Sequence, residues 1–136
     1  MIRHGSFVLV NVVLFLLATS SYANSPALTR WAFTDEIINS TPTNELQLSS
    51  LSKGDIYIYT RWENLAVTFY DVEVFIYDGN NAVVGYSNYG FKPDKPVWDS
   101  WTRYHFRAGT DEPGQWRFVV LLNKTKMLEE YIYIEP

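Results

Sequence analysis

Two stretches in the middle of the chain alternate at period two, and this constrains the fold more than any other feature. Thr68 to Tyr77 sets Tyr70, Val72, Val74 and Ile76 against Phe69, Asp71, Glu73, Phe75 and Tyr77. Ile56 to Trp62 sets Ile56, Ile58, Thr60 and Trp62 against Tyr57, Tyr59 and Arg61. Successive side chains of an extended strand point to opposite faces, so each stretch reads as a half-buried strand with one face turned to a core. No segment shows a sustained helical period with caps. The core is therefore expected to be built by sheets.

The remaining chain fits the same reading. Arg30 to Ile38 is an expected first strand, and Asn39 to Asn44 a loop in which Pro42 interrupts any strand. Glu45 to Leu51 suits a short strand or a turn of helix. Asp78-Gly79-Asn80-Asn81 is a hairpin turn, because Gly and Asn tolerate positive φ. Ala82 to Tyr86 returns as a short strand, and Ser87 to Val97, with Gly90, Pro93 and Pro96, reads as a long connection. Trp98 to Arg107, Gln115 to Leu122 and Met127 to Ile134 complete the set. Seven to eight short strands in about 110 residues indicate an all-β protein, a single antiparallel sandwich, with a closed barrel as the alternative.

Residues 1–23 read as a signal peptide. Arg3 and His4 precede an apolar run from Phe7 to Ala18, and Ser21-Tyr22-Ala23 places small residues at the −3 and −1 positions of a cleavage site. The run is shorter than the roughly 20 residues a spanning helix needs. The expected mature protein is residues 24–136, one domain, exported to the periplasm or cell surface and without a membrane span.

Composition narrows the chemistry. The chain has 11 basic and 15 acidic residues, and loss of Arg3 with the leader takes its formal charge of −4 to −5. Such an acidic domain has no electrostatic reason to bind nucleic acid. Cysteine is absent, so there is no disulfide framework, thiolate nucleophile or thiolate metal site. An exported domain without disulfides, rich instead in aromatic side chains for its core, points to a bacterial envelope. The sequons at Asn39 and Asn123 are too short a pattern to overturn that.

Four stretches carry a family resemblance: RWAFTDEIINSTPTNEL (Arg30 to Leu46), IYIYTRWENL (Ile56 to Leu65), VWDSWTRYHF (Val97 to Phe106) and EPGQWRFVVLL (Glu112 to Leu122). Together they resemble the immunoglobulin-like β-sandwich domains of bacterial exported proteins of unassigned function. In that group an opening Phe-Thr strand, a Trp-rich strand and a late Pro-Gly-x-Trp element recur. The last delivers the chain from a turn into a strand whose first inward residue is a large anchor, here Trp116. The resemblance implies fold and compartment and brings no catalytic residues.

Residue by residue, enzymes are disfavoured. Asp99, Ser100 and His105 are the one route to a Ser/His/Asp set, and on a single strand Ser100 and His105 point to opposite faces. Asp71 and Glu73 share a face about 6 to 7 Å apart, more simply a solvated outer face than a glycosidase pair. The Asp78 to Asn81 turn lacks the spaced acidic ligands of a calcium loop. No cofactor or metal site is expected.

Binding is the more informative class. Alternation turns Tyr57, Tyr59, Phe69, Phe75, Tyr77, Trp101, Tyr131 and Tyr133 away from the core, and exposed aromatics mark partner surfaces or sugar platforms. The candidate face is Tyr57, Tyr59, Arg61, Trp101, Arg103 and His105. The expected function is a small non-catalytic binding module: a protein-interaction or accessory subunit of an envelope complex, or a periplasmic inhibitor. Its partner would be another envelope or secreted protein. A carbohydrate-binding module holding a glycan on exposed aromatics is the alternative.

Overall fold

A computed structural model describes residues 25–136; the expected signal peptide lies outside the described residues. Ten strands follow one another: β1 (Ala27–Thr34), β2 (Ile37–Ile38), β3 (Thr41–Pro42), β4 (Leu48–Ser50), β5 (Asp55–Glu63), β6 (Tyr70–Tyr77), β7 (Val83–Phe91), β8 (Trp98–His105), β9 (Gly114–Leu122) and β10 (Thr125–Glu135). They form a three-stranded sheet, β1-β5-β8, and a five-stranded sheet, β4-β10-β9-β6-β7, with β2 and β3 as a separate small hairpin. All pairings are antiparallel except β4 with β10. The two main sheets share no strand, so the architecture is a sandwich and not a closed barrel.

The inward faces are those the alternation assigned. Phe33, Ile56, Ile58, Trp62 and Tyr104 of the smaller sheet meet Val72, Val74, Ile76, Trp116, Phe118, Val120, Ile132 and Ile134 of the larger. Phe33 and Phe118 pack edge-to-face at 5.0 Å between centroids, and Tyr104 and Trp116 at 5.4 Å, tying sheet to sheet. Ser100 joins a polar contact within this core. It bonds Thr60 Oγ1 at 2.9 Å, and accepts from Trp62 Nε1 at 3.2 Å and from the Tyr89 hydroxyl at 2.8 Å. Three strands from both sheets are thereby pinned by one small hydroxyl.

The strand count rises above seven or eight because three very short strands lie between β1 and β5. The first strand ends at Thr34 rather than Ile38. There the Asn44 side chain accepts from the Asp35 amide and the Thr34 hydroxyl, pulling the chain out of the sheet. Asn39 and Ser40, both at positive φ, then turn β2 into β3, where Pro42 pairs with Ile37 instead of ending the structure. Glu45 to Leu51 supplies both expected forms, β4 followed by a 3-10 turn over Leu51–Lys53.

The largest correction is β7. Ser87 to Phe91, read as connection, continues the strand, pairing Ser87 with Val74 and Phe91 with Tyr70. Gly85 is a packing device: a Cβ there would lie 3.1 Å from the Tyr104 ring and from Ile76 Cδ1. The expected turn after β6 stands in place. Asp78 Oδ1 accepts from the amides of Asn80 and Ala82. Asn123 and Lys124, both at positive φ, close the β9–β10 hairpin.

Candidate functional site

The expected aromatic face is the outer side of the three-stranded sheet, and β5 and β8 set its residues in register. Tyr57 faces Arg103, Tyr59 faces Trp101, Arg61 faces Asp99 and Asp55 faces His105. Trp101, Arg103 and His105 are exposed, whereas Tyr57 and Arg61 are half-buried. His105 Nδ1 lies 2.8 Å from Asp55 Oδ1. Arg61 is drawn toward Asp99, 3.5 Å away.

Tyr59 corrects the expectation. It points outward as predicted but is only 1% exposed. Ala32 and Trp101 flank it in register, the Arg30 guanidinium sits 5.6 Å from its ring centroid, and its hydroxyl donates to Asp99 Oδ1. The β2–β3 hairpin reaches the same face, since Ser40 at its tip lines a cleft with Arg61 and Trp101. Burial and then the adjacent Asp99 carboxylate hold the Tyr59 hydroxyl above its ordinary pKa. Tyr59 is therefore a structural tyrosine. Tyr59→Phe is expected to cost about 1 kcal/mol, the worth of a hydrogen bond to a charged acceptor less what Asp99 recovers from Arg61. Urea unfolding measures it, and an unchanged midpoint would mean that the hydroxyl bond contributes nothing.

What this face does offer is a cleft of about 610 Å³ at its end. It is lined by Ser40, Arg61, Lys95, Trp98, Asp99 and Trp101. Trp101, 39% exposed, presents its ring outward. Trp98 points the other way and stacks on Phe91 at 5.0 Å, with planes 5° apart. The two indoles do not form a coplanar platform. Lys95 makes no ion pair among the described residues.

The broader exposed aromatic surface is the outer face of the five-stranded sheet. Tyr131, Arg117, Tyr77 and Val83 form one row across four strands, and Glu129, Val119, Phe75 and Tyr86 form the next. Tyr133 and Leu48 extend it on β10 and β4. Tyr86, Tyr131 and Tyr133 are each more than half exposed, as are Val83 and Leu48. At its centre the Arg117 guanidinium lies 4.0 Å from the Tyr77 ring centroid and pairs with Glu129 at 3.1 Å. Lys126 also binds Glu129, at 2.7 Å, and together they hold its carboxyl below the ordinary range.

Glu73 on this face differs from the solvated residue expected. It is buried, held by Lys124 at 2.7 Å and by the Tyr86 hydroxyl at 2.9 Å, and these bonds depress its pKa. Asp71, on the same side of β6, is half-buried. Glu73 is thus a neutralised ion pair rather than half of a free carboxylate pair. The sequence reading placed Phe75, Tyr77, Tyr131 and Tyr133 outward but missed Tyr86, Val83 and Leu48. Pairing of Phe75 with Tyr86, whose rings lie 4.9 Å apart, was the one signal for Tyr86, and it needs the β6–β7 register.

Ser100 and His105 stand on opposite faces of β8, one in the core and one in solvent. Among the described residues no group of three or more His, Cys, Asp or Glu side chains is placed to hold a metal ion.

With two packed antiparallel sheets established, the comparison with solved structures becomes interpretable. An immunoglobulin-like protein from Pseudomonas aeruginosa superposes with a TM-score of 0.59 at 10% identity, over 83% of this chain and 98% of that one. The fold is immunoglobulin-like. A second match is an alkylpurine DNA glycosylase from Pseudomonas fluorescens bound to DNA containing an abasic-site analogue. There the TM-score is 0.56 at 14% identity, over 90% of this chain but 33% of the enzyme. At such identities the likeness is one of fold alone. No protein-family profile matches the sequence, and no curated protein matches it.

Proposed function

We propose that this protein is an exported, non-catalytic binding module that engages another envelope or secreted protein through the outer face of its five-stranded sheet. One observation carries the reading: Tyr86, Tyr131, Tyr133, Val83 and Leu48 form a broad, mostly apolar surface whose central charges are already paired. Tyrosine and arginine are the side chains that dominate protein interfaces. They bury large areas at low entropic cost, and a pre-paired arginine enters the contact without stranding a charge. The leader sequence and the lack of cysteine support an envelope location.

The test is capture of partners from envelope extract by the tagged mature protein, repeated with Tyr131→Ala and Tyr133→Ala. Exposed rings contribute little to folding, so each variant should keep its stability within about 0.5 kcal/mol. At a true anchor each should weaken the complex by about 2 kcal/mol, roughly thirtyfold. Full retention of every captured protein by the double variant would remove this face from consideration.

A glycan is the second reading, favoured by the cleft in which the Trp101 ring stands beside Arg61, Lys95, Asp99 and Ser40. One indole can stack on a sugar face while the polar groups bind hydroxyls. Oligosaccharide binding that Trp101→Ala abolishes, while Tyr131→Ala leaves it intact, would favour this reading over a protein partner.

A further inference from the structure

A sandwich of two open sheets has four lateral edges, and the chain treats one of them differently. Exposed edge strands invite pairing with other chains, and proteins protect them with charges, bulges, proline or brevity. β4 is three residues long. β1 follows Pro26, has a bulge between Leu28 and Arg30, and carries Arg30. β8 carries Asp99, Arg103 and His105. β7 has a bulge only at its first residues and none of these protections from Gly85 to Phe91. It is nine residues long, VVGYSNYGF, without a charge or a proline, and it ends the order of the five-stranded sheet. Its one irregularity lies at its start, where Val84 falls outside the pairing with β6.

We propose that β7 is the seam of a twofold homodimer, in which two copies pair antiparallel about Ser87 and join their five-stranded sheets into one of ten strands. Backbone N–H and C=O groups pointing away from β6 are satisfied by a strand, which sets the kind of occupant. The identity of that occupant follows from composition and symmetry. A strand without charges can meet its own copy without placing like charges opposite one another, although the whole protein is acidic. With Ser87 on the axis, Tyr86 of one copy lies opposite Asn88 of the other, twice, so a large ring meets a small amide on the outer face. Both are exposed, and the Glu73 carboxylate beside Asn88 is already neutralised by Lys124. The contact has the self-complementarity that twofold symmetry demands. It is also narrow, and interfaces well under about 1,200 Å² are weak, so the dimer dissociates on dilution.

Sedimentation velocity of the mature protein across a range of concentrations is the direct test. The mean mass should climb from that of one chain toward that of two. Asn88→Lys sets two lysines at diagonal positions across the axis, their backbones about 7 to 8 Å apart, and should weaken association at least tenfold. Gln115→Lys, an exposed change on the central strand β9 of the same sheet, should leave it intact. Hydrogen exchange of the unmutated chain supplies a readout that needs no variant. Amides of β7 should gain protection as concentration rises, while those of β1 and β8 should not. A monomer at every concentration overturns the proposal and leaves β7 to a strand from a different protein. A dimer that Asn88→Lys does not weaken, or whose protection appears elsewhere than β7, overturns it as well.

Discussion

Trp116→Ala is expected to destabilise the domain by about 3 to 5 kcal/mol, the cost of removing a large buried ring and leaving a cavity. Trp116 is fully buried, and its ring packs edge-to-face on Tyr104 and on Phe106, each at 5.4 Å. Its indole N–H donates to the Glu112 carbonyl at 3.0 Å, so the same side chain fixes the turn that delivers β9 into the sheet. Tyr104 belongs to the opposite sheet, and the cavity would open between the two layers, where neither sheet can relax without shearing the other. For a domain whose total stability is about 5 to 15 kcal/mol, a loss of this size consumes much of the margin. The melting temperature should fall by roughly 10 to 20 °C. A fall of a degree or two would mean that the sheets close over the gap, and that Trp116 is not the anchor of the late strands.

Asp111→Ala is expected to cost about 3 kcal/mol. Its carboxylate is buried in the loop between β8 and β9. It accepts from the Tyr104 hydroxyl at 2.9 and 2.8 Å, from the Arg107 amide at 2.6 Å and from the Arg107 guanidinium at 3.0 Å. Deleting it strands a buried hydroxyl and an amide, which is costlier than losing the half-exposed ion pair with Arg107. Asp111→Asn keeps the shape and part of the accepting capacity, and should lose less. Burial alone would raise this carboxyl's pKa, but the amide, guanidinium and hydroxyl donors outweigh it and hold it below 3.8.

That shift sets the acid limb of stability. A folded pKa below the unfolded one means that the unfolded chain binds the proton more tightly, so the contribution is complete above pH 3.8 and is lost as pH falls through the folded value. Tyr104 sets an alkaline limb by the opposite sign. Burial, then Asp111, pushes its hydroxyl from 10.0 up to about 12, so that stability is complete below pH 10.0 and declines from there toward 12. Unfolding by urea across pH measures both. Asp111→Ala should flatten the acid limb in part, because Glu73 and Glu129 are also held below their ordinary values. An acid limb unchanged in that variant would show that the Asp111 bonds contribute nothing.

The alternation of Ile56 to Trp62 and Tyr70 to Tyr77 determined which side chains turn inward. It did so because side-chain direction in a strand is a local property of the backbone. The same holds for the turn at Asp78 to Asn81, where Asn81 accepts positive φ, and for Trp116 behind its Pro-Gly turn. From these the all-β class and the two-layer packing follow, since strands with one apolar face must bury it against another sheet. The tertiary structure decided what covers the outward faces. Tyr59 points out of the sandwich, yet it is enclosed by Ala32, Trp101 and Arg30 beside the hairpin of residues 37–42, contacts separated from it by tens of residues. Glu73 lies on an outer face but is buried by Lys124 and Tyr86, one of which comes from a different hairpin. The length of β7 was hidden because Gly90 looks like a loop residue beside Pro93 and Pro96, and only its pairing with Asp71 on β6 keeps it in the strand. Which of the two outer faces presents the broad aromatic surface was likewise settled by packing. Exposure depends on every segment that folds back over a strand, and a period of two says only which way a side chain points.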